Sequence, residues 1–344
     1  MPKDKKILVI GYFGQSNNQL DGQTLRTRSI YSLLDKYSTY QVNYFDTQSI
    51  RYSKLNLIKL IKLWFNSDII FNIAAHRNLK ILFPCLYLLS KLTNKNFNIV
   101  SVGGWLPDFL KNKPLHKFIL KKINGVFVQT QNIYSELKKD KFKNIHLLNN
   151  FRVIEYPDLK LENKKKDIIR LVYMARVHPQ KGVDLIFEIE KHFKKEKLNN
   201  IKIDIYGPIL KTYEKTFLSK LKNSSINYAG ILNPSDIHNV LQNYDLMLFP
   251  TKYYTEGFPG SILDAYISGI PVIASKWLNA TEFIDDNKTG IIVDFNNDEL
   301  FIKKLSFILK NPHKILEMKE HVKIKRNQYS SDQAWNTLRI ALLK

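Results

Sequence analysis

"TEGFPGSILDAYISGIPVIAS", residues 255–275, is the stretch that decides how the rest of the chain is read. Glu256 stands in a Gly/Pro-rich turn, and Asp264 follows eight residues later within a short helical pattern. Gly269 and Pro271 stop that helix before the strand-like "VIAS". Just upstream, "DLMLFP" reads as a buried strand, so the turn leaves a strand's carboxyl end and Ser261 opens the helix. First-turn amides have no intrahelical partner and lie at the positive end of the helix dipole, an anion site suited to phosphate. Glu256 beside it can accept from sugar hydroxyls or face a developing positive charge. For Asp264 two readings stand: it faces the same ligand, or "SILD" is a capping box in which it only satisfies the amide of Ser261.

Working outward, apolar runs alternate with helical patterns along the whole chain. "KILVIGYF", "DIIFNIAA", "FNIVSVGG" and "GVFVQT" precede a break at "RVIEYPDLKLENKKKD"; "IIRLVYMAR", "IKIDIYG", "INYAG" and "GIIV" follow it. Buried runs without alternation, separated by helices, predict parallel sheets built from βαβ units. The expected fold class is α/β, with two Rossmann-like doubly wound domains over residues 1–160 and 161–329. The last segment, residues 330–344, is expected to return and pack on the first domain. Ligands of such sheets bind beyond the carboxyl ends of the strands, so a cleft between the domains is the default site.

Other motifs fall at strand ends. In "YMARVHPQKGVD" a strand ends in Arg176, and Lys181 begins the next helix. A guanidinium that takes two oxygens and an ammonium that acts as a point charge fit a diphosphate. "DIYGP" and "NYAGIL" end strands in turns where Gly207 and Gly230, with Ile231 beside the latter, let backbone approach a flat ligand such as a base. In the first half, "GYFGQSNNQLDGQTLRTRS" offers Gly14 and Gly22 as close-approach positions before the first helix. His76 ends "DIIFNIAAH" and is a candidate for contact with an acceptor.

On these residues the second half resembles the family 4 retaining glycosyltransferases, which have the GT-B fold. "EGFPGSILDAYISGIPVIAS" is similar to the family's Glu-x7-Glu segment followed by Gly-x-Pro-Val, and "ARVHPQKG" to its Gly-Arg…Lys-Gly segment. The resemblance implies transfer of a hexose from a nucleotide diphosphate-sugar, with retention, to a glycan or lipid-linked saccharide. It gives Glu256 to the donor sugar, and gives Gly257, Phe258, Pro259, Gly260, Ser261 and Ile262 to the same donor site. Arg176 and Lys181 would hold the diphosphate, Asp264 the ribose, and Gly22 would lie near the donor phosphates. Two departures stand out: the second acid is aspartate, one methylene shorter, and "VSVGGW" puts Gly103 and Trp105 where many members have a histidine. Trp105 joins His76 as an acceptor candidate. No Asp-x-Asp pair occurs, so no bridging metal is indicated, and no cofactor beyond the nucleotide-sugar substrate is expected.

Composition bounds the partners. The 344 residues carry 53 Lys+Arg against 31 Asp+Glu, a net charge of +22. Residues 1–150 hold 23 basic against 8 acidic side chains, while residues 151–344 hold 30 against 23. A single cysteine, Cys85, excludes an intrachain disulfide and fits a reducing compartment. The N-terminus shows no signal-peptide pattern, and "LKILFPCLYLLSKL" is shorter than the roughly 20 residues of a span, so it reads as a core helix. "SKLNLIKLIKLWFN" sets Asn56, Lys59, Lys62 and Asn66 on one face; with "LHKFILKKING" and "ELKKDKFK" it makes a basic, partly apolar surface. Peripheral attachment to the anionic inner face of the cytoplasmic membrane is the expectation. A nucleic-acid binder is disfavoured, because no aromatic RNA-binding signature, zinc spacing or groove-reading helix is present. A GT-B phosphorylase, a sugar-nucleotide epimerase or a non-catalytic partner subunit remain the alternatives.

Overall fold

The aliphatic runs Ile7–Ile10 and Ile69–Phe71 are buried without alternation, as strands covered by helices on both faces must be. The computed structural model describes residues 5–14, 21–159 and 167–343, the side chain of Arg77 aside. The middle of the loop after the first strand (15–20) and the lysine run of the interdomain linker (160–166) lie outside the described residues.

Two parallel sheets of six strands each result. The first contains β1 (Lys6–Gly11), β2 (Gln41–Asp46), β3 (Ile69–Ala74), β4 (Asn96–Ser101), β5 (Gly125–Val128) and β6 (Ile145–Leu147), in the order β2-β1-β3-β4-β5-β6. The second contains β7 (Ile169–Met174), β8 (Ile201–Tyr206), β9 (Asn227–Tyr228), β10 (Leu246–Phe249), β11 (Val272–Ser275) and β12 (Gly290–Val293), in the order β12-β11-β10-β7-β8-β9. The chain divides into Met1–Ile154 with Tyr329–Lys344, and Glu155–Gln328.

In the first unit, Leu8, Ile70, Phe83 and Phe97 fill one side of the sheet; Ile7, Val9, Ile30 and Leu338 fill the other. Each such side chain contributes about 1.5–3 kcal/mol on burial. The C-terminal helix Ser331–Leu338 belongs to this unit. It docks on the helix Gly22–Tyr37: the Tyr37 hydroxyl donates to Asp332 Oδ1 at 2.9 Å, and its ring lies 5.7 Å from that of Trp335.

The strand orders fix where loops diverge. In each sheet the first strand in sequence has a neighbour on either side reached by opposite crossings, β1 between β2 and β3, β7 between β8 and β10. Loops leaving β1 and β3, or β7 and β10, therefore turn away from each other and open a crevice.

One expectation is corrected. "LKILFPCLYLLSKL" lies in the helix His76–Leu92, and only one face of it is core. Leu79, Phe83 and Leu86 are buried, whereas Ile81, Leu88 and Leu92 are mostly exposed. The helix lies against the first sheet, so half of its girth faces away from any apolar partner in that sheet.

Candidate functional site at the β7/β10 crevice

The loop leaving β7 is held rigid from beneath. Tyr173, 1% exposed, sets its hydroxyl 3.3 Å from the carbonyl of Arg176 and 3.2 Å from that of Lys181. Burial raises the Tyr173 pKa well above its ordinary value, helped by the charges of Asp184 and Glu256, so it remains a donor. Between those carbonyls, Pro179–Lys181 forms a single 3-10 turn capped by the ring nitrogen of His178, which accepts from the Gln180 amide at 2.9 Å. Gly182 follows at φ 76°, and a Cβ there would lie 1.7 Å from the Pro250 carbonyl oxygen. Only glycine fits, and the fit brings the β7 loop against the loop leaving β10. The Lys252 amide, donating to the Gln180 carbonyl at 2.9 Å, closes the seam.

The second loop carries Glu256. Its backbone carbonyl accepts from Asn279 Nδ2 at 2.7 Å, and its carboxylate forms an ion pair with Lys181 Nζ. The pair is partly covered: the lysine side chain is 29% exposed and the glutamate 13%. The ammonium also lies 5.5 Å from the centre of the Tyr253 ring. The structure thus brings Lys181 and Glu256 together; Arg176 sits on the same loop with its side chain exposed.

Glu256 leads into the helix Gly260–Ile267, whose N-cap is Pro259 with no side-chain cap bond. This corrects the capping-box reading. The helix starts one residue before Ser261, so Ser261 is not its N-cap, Asp264 is its fifth residue, and the first turn contains no acid. Asp264 is instead 3% exposed and points toward His238, whose Nε2 is 3.9 Å from Asp264 Oδ1. His238 Nδ1 meets Ser268 Oγ at 3.1 Å, and that hydroxyl donates to the Asp264 carbonyl at 2.8 Å. With its proton committed to the carbonyl, the Ser268 oxygen accepts, which puts the first imidazole proton on Nδ1 and turns Nε2 toward the carboxylate.

Around these groups the turn is anchored by apolar packing. The Phe258 ring stacks on Phe283 with centroids 4.0 Å apart, and Gly257 and Ile262 are buried. At Phe258 and Ile262, only backbone remains to meet a ligand. Gly207 has a reason inside the protein: at φ 134° its Cβ would lie 1.9 Å from the Ala175 carbonyl oxygen. Gly230 differs, since it has φ 80° and nothing within 4 Å of a Cβ. Ile231 beside it is 56% exposed.

In the first unit, Gly22 begins its helix behind the cap of Asp21, which accepts from the Thr24 amide at 2.8 Å, and a Cβ at Gly22 would meet nothing within 4 Å. Gly14 has φ 63°. His76 and Trp105 are brought together, their rings 5.2 Å apart and edge-to-face, with Phe109 5.0 Å from His76. Trp105 Nε1 donates to the Val102 carbonyl at 2.6 Å, which fixes the indole, and Gly103 at φ 92° lets the chain turn beneath it. Sequence reading missed Tyr173, Gly182, His238 and Asn279. For Gly182 the signal was present in "QKGVD", a glycine that follows a cation and precedes a helix. Among the described residues no three His, Cys, Asp or Glu side chains converge as metal ligands.

Comparison with known proteins agrees with the fold. The profile of the glycosyl transferases group 1 matches residues 157–330, the whole of the second sheet. The chain belongs to that family. Among curated relatives, the poly(ribitol-phosphate) alpha-N-acetylglucosaminyltransferase of Staphylococcus aureus is 26% identical over 238 residues, 67% of this chain and 46% of that protein. The N,N'-diacetylbacillosaminyl-diphospho-undecaprenol alpha-1,3-N-acetylgalactosaminyltransferase of Campylobacter jejuni is 29% identical over 147 residues, 43% of this chain and 36% of that protein. The chain therefore spans less than half the length of either. Among solved structures, Anabaena HepE in complex with UDP and glucose superposes with a TM-score of 0.75 at 12% identity, over 99% of this chain and all of that one. The fold is the two-domain α/β arrangement of GT-B type.

Proposed function

We propose that this group 1 member is a retaining, metal-independent glycosyltransferase. It moves a hexose from a nucleotide diphosphate-sugar to a glycan or polyprenyl-diphosphate-linked acceptor in bacterial surface polysaccharide synthesis, working in the cytoplasm at the inner face of the membrane. The observation that carries this reading is the Lys181–Glu256 ion pair at the crevice between β7 and β10. Support comes also from the relatives, one acting on poly(ribitol phosphate) and one on a diphospho-undecaprenol saccharide by name.

The ion pair stores Lys181 where a diphosphate arrives. On binding, the ammonium exchanges the carboxylate for phosphate oxygens, Arg176 adds a bidentate contact, and Glu256 is released to accept from a sugar hydroxyl. The bond from the anomeric carbon to the phosphate oxygen then breaks, and its electron pair leaves with the nucleoside diphosphate. The acceptor oxygen bonds that carbon on the same face, and its proton passes to the departing phosphoryl oxygen. Fixed cations and the positive N-terminal end of the helix that starts at Gly260 stabilise the leaving charge, which is the largest contribution expected of such a site. Ile231 and Gly230 receive the base, Asp264 the ribose, and His76 with Trp105 the acceptor.

The test is a thermal-shift screen of UDP-, GDP- and ADP-sugars, followed by transfer assays with the donor that binds. A ligand selective for the native state raises the melting temperature. If no nucleotide-sugar shifts the transition, the reading fails. Turnover of donor alone to an epimer, or dependent on free phosphate, points to the epimerase or phosphorylase chemistry instead.

A further inference from the structure

Three helices on one side of the first sheet leave apolar stripes in solvent. On Asn56–Phe65 the stripe is Ile58, Ile61 and Phe65; on His76–Leu92 it is Ile81, Cys85, Leu88 and Leu92; on Pro114–Lys122 it is Leu115 and Phe118. Spacings of three, four and seven put each set on one face of its helix. The large apolar side chains among them are 48–77% exposed. The helices adjoin: Trp64 Nε1 donates to Thr93 Oγ1 at 3.0 Å, Lys95 Nζ to the Phe65 carbonyl at 3.3 Å, and Lys91 Nζ to the Lys122 carbonyl at 3.4 Å. The middle helix therefore links the outer two into one surface. Residues 51–122 contain 13 Lys+Arg and only two acids, Asp68 and Asp108.

From this we infer that the surface docks on an anionic bilayer by inserting its apolar stripes, so that charge attracts the chain and burial of Leu, Ile and Phe holds it. The inference rests on the peripheral-membrane part of the proposed function and is independent of the donor site. The composition selects the occupant. Protein interfaces are depleted in lysine at their centre and rich in Tyr, Trp, Met and Arg, whereas this face pairs aliphatic side chains with exposed lysines Lys54, Lys59, Lys62, Lys80 and Lys91. Long lysine stems lie along an apolar surface while their heads reach lipid phosphates. A second copy of the same face would bring like charges together.

The single cysteine supplies the probe, because Cys85 is exposed within the middle stripe. The full chain, labelled there with an environment-sensitive fluorophore, is mixed with vesicles of phosphatidylcholine and phosphatidylglycerol, some carrying nitroxide on the acyl chains. The expected result is a blue shift and nitroxide quenching, retained after high salt is added to the bound protein. The pair Ile81→Ser and Leu88→Ser should lower the partition coefficient about tenfold with an unchanged melting temperature, since both side chains are exposed. If sedimentation is complete but wholly reversed by salt, or the label stays water-like, the insertion fails while the peripheral reading stands. No sedimentation at all sinks both. A concentration-dependent dimer of the free chain that shields the Cys85 label assigns the face to a second copy and overturns the inference.

Discussion

At the crevice between β7 and β10 the chain sets a cation against a carboxylate; beyond the carboxyl ends of β3 and β4 it sets a histidine among aromatic rings. The two sheets share a doubly wound design, yet the loops they carry are held differently. In the second unit, Gly182 and Gly207 are pressed to within 1.7 and 1.9 Å of backbone oxygens, and Tyr173 pins two carbonyls from below. In the first unit, a Cβ at Gly22 would meet nothing. A crevice that stabilises a leaving anion needs charges fixed before the reaction. A wall that would receive a sugar ring needs apolar side chains instead, such as Trp105 and Phe109 beside His76, and the difference between the two units lies in the loops.

The sharpest way to break this contrast is to remove the charges from the crevice between β7 and β10. Glu256→Ala and Lys181→Ala should each lower transfer by about 100-fold or more, with circular dichroism unchanged. Wild-type rates in either purified variant would remove the crevice from catalysis. A stability comparison follows at somewhat smaller scale. Gly182→Ala forces a side chain into a left-handed conformation and against a carbonyl, at a cost of about 3 kcal/mol. Gly22→Ala, with ordinary backbone angles and open space, should stay within about 0.5 kcal/mol of wild type in urea denaturation. Equal losses would mean that the two loops are not held differently after all.

Asp264 tests the same contrast through the ligand. Asp264→Asn should weaken binding of a ribonucleoside diphosphate about tenfold, and its 2′-deoxy counterpart much less. A common loss for both nucleotides would return Asp264 to a purely structural role. His238→Ala is expected to act in the same direction by a smaller factor, because any effect on the nucleotide would pass through Asp264, 3.9 Å from His238 Nε2.

How much of this was legible depends on where the information lies. The parallel sheets follow from unbroken aliphatic runs such as "KILVIG" and "GIIV", since such strands need cover on both faces. The carboxylate and cations of the β7 and β10 loops were visible as charged residues beside glycines at strand ends. Their pairing was not, because it requires β7 and β10 to be neighbours, and strand order is not written in local pattern. The capping-box reading of "SILD" failed for a related reason: the preceding proline, not Ser261, provides the start of the helix. "LKILFPCLYLLSKL" read as core because hydrophobicity alone does not say which face of a helix meets the sheet. Gly207 was legible as a close-approach glycine, but not the Ala175 carbonyl oxygen that its Cβ would meet at 1.9 Å, since that oxygen belongs to the neighbouring strand exit.

The aromatic cluster of the first unit gives the smallest effect and the clearest separation. His76 meets Trp105 and Phe109 edge-to-face at 5.2 and 5.0 Å, and the indole is fixed by its bond to Val102. A ring contact of this kind contributes about 0.5–1.5 kcal/mol, so His76→Ala should raise the acceptor KM by about three- to tenfold. Since His76 begins a helix of the first unit and Lys181 with Glu256 belong to the second, the donor Kd should not move. The acceptor is varied at saturating donor, and donor binding is measured separately by calorimetry. A change confined to the acceptor separates the two units by ligand; a matching change in donor affinity would show that the aromatic cluster serves the nucleotide-sugar, and the division of labour between the sheets would be lost.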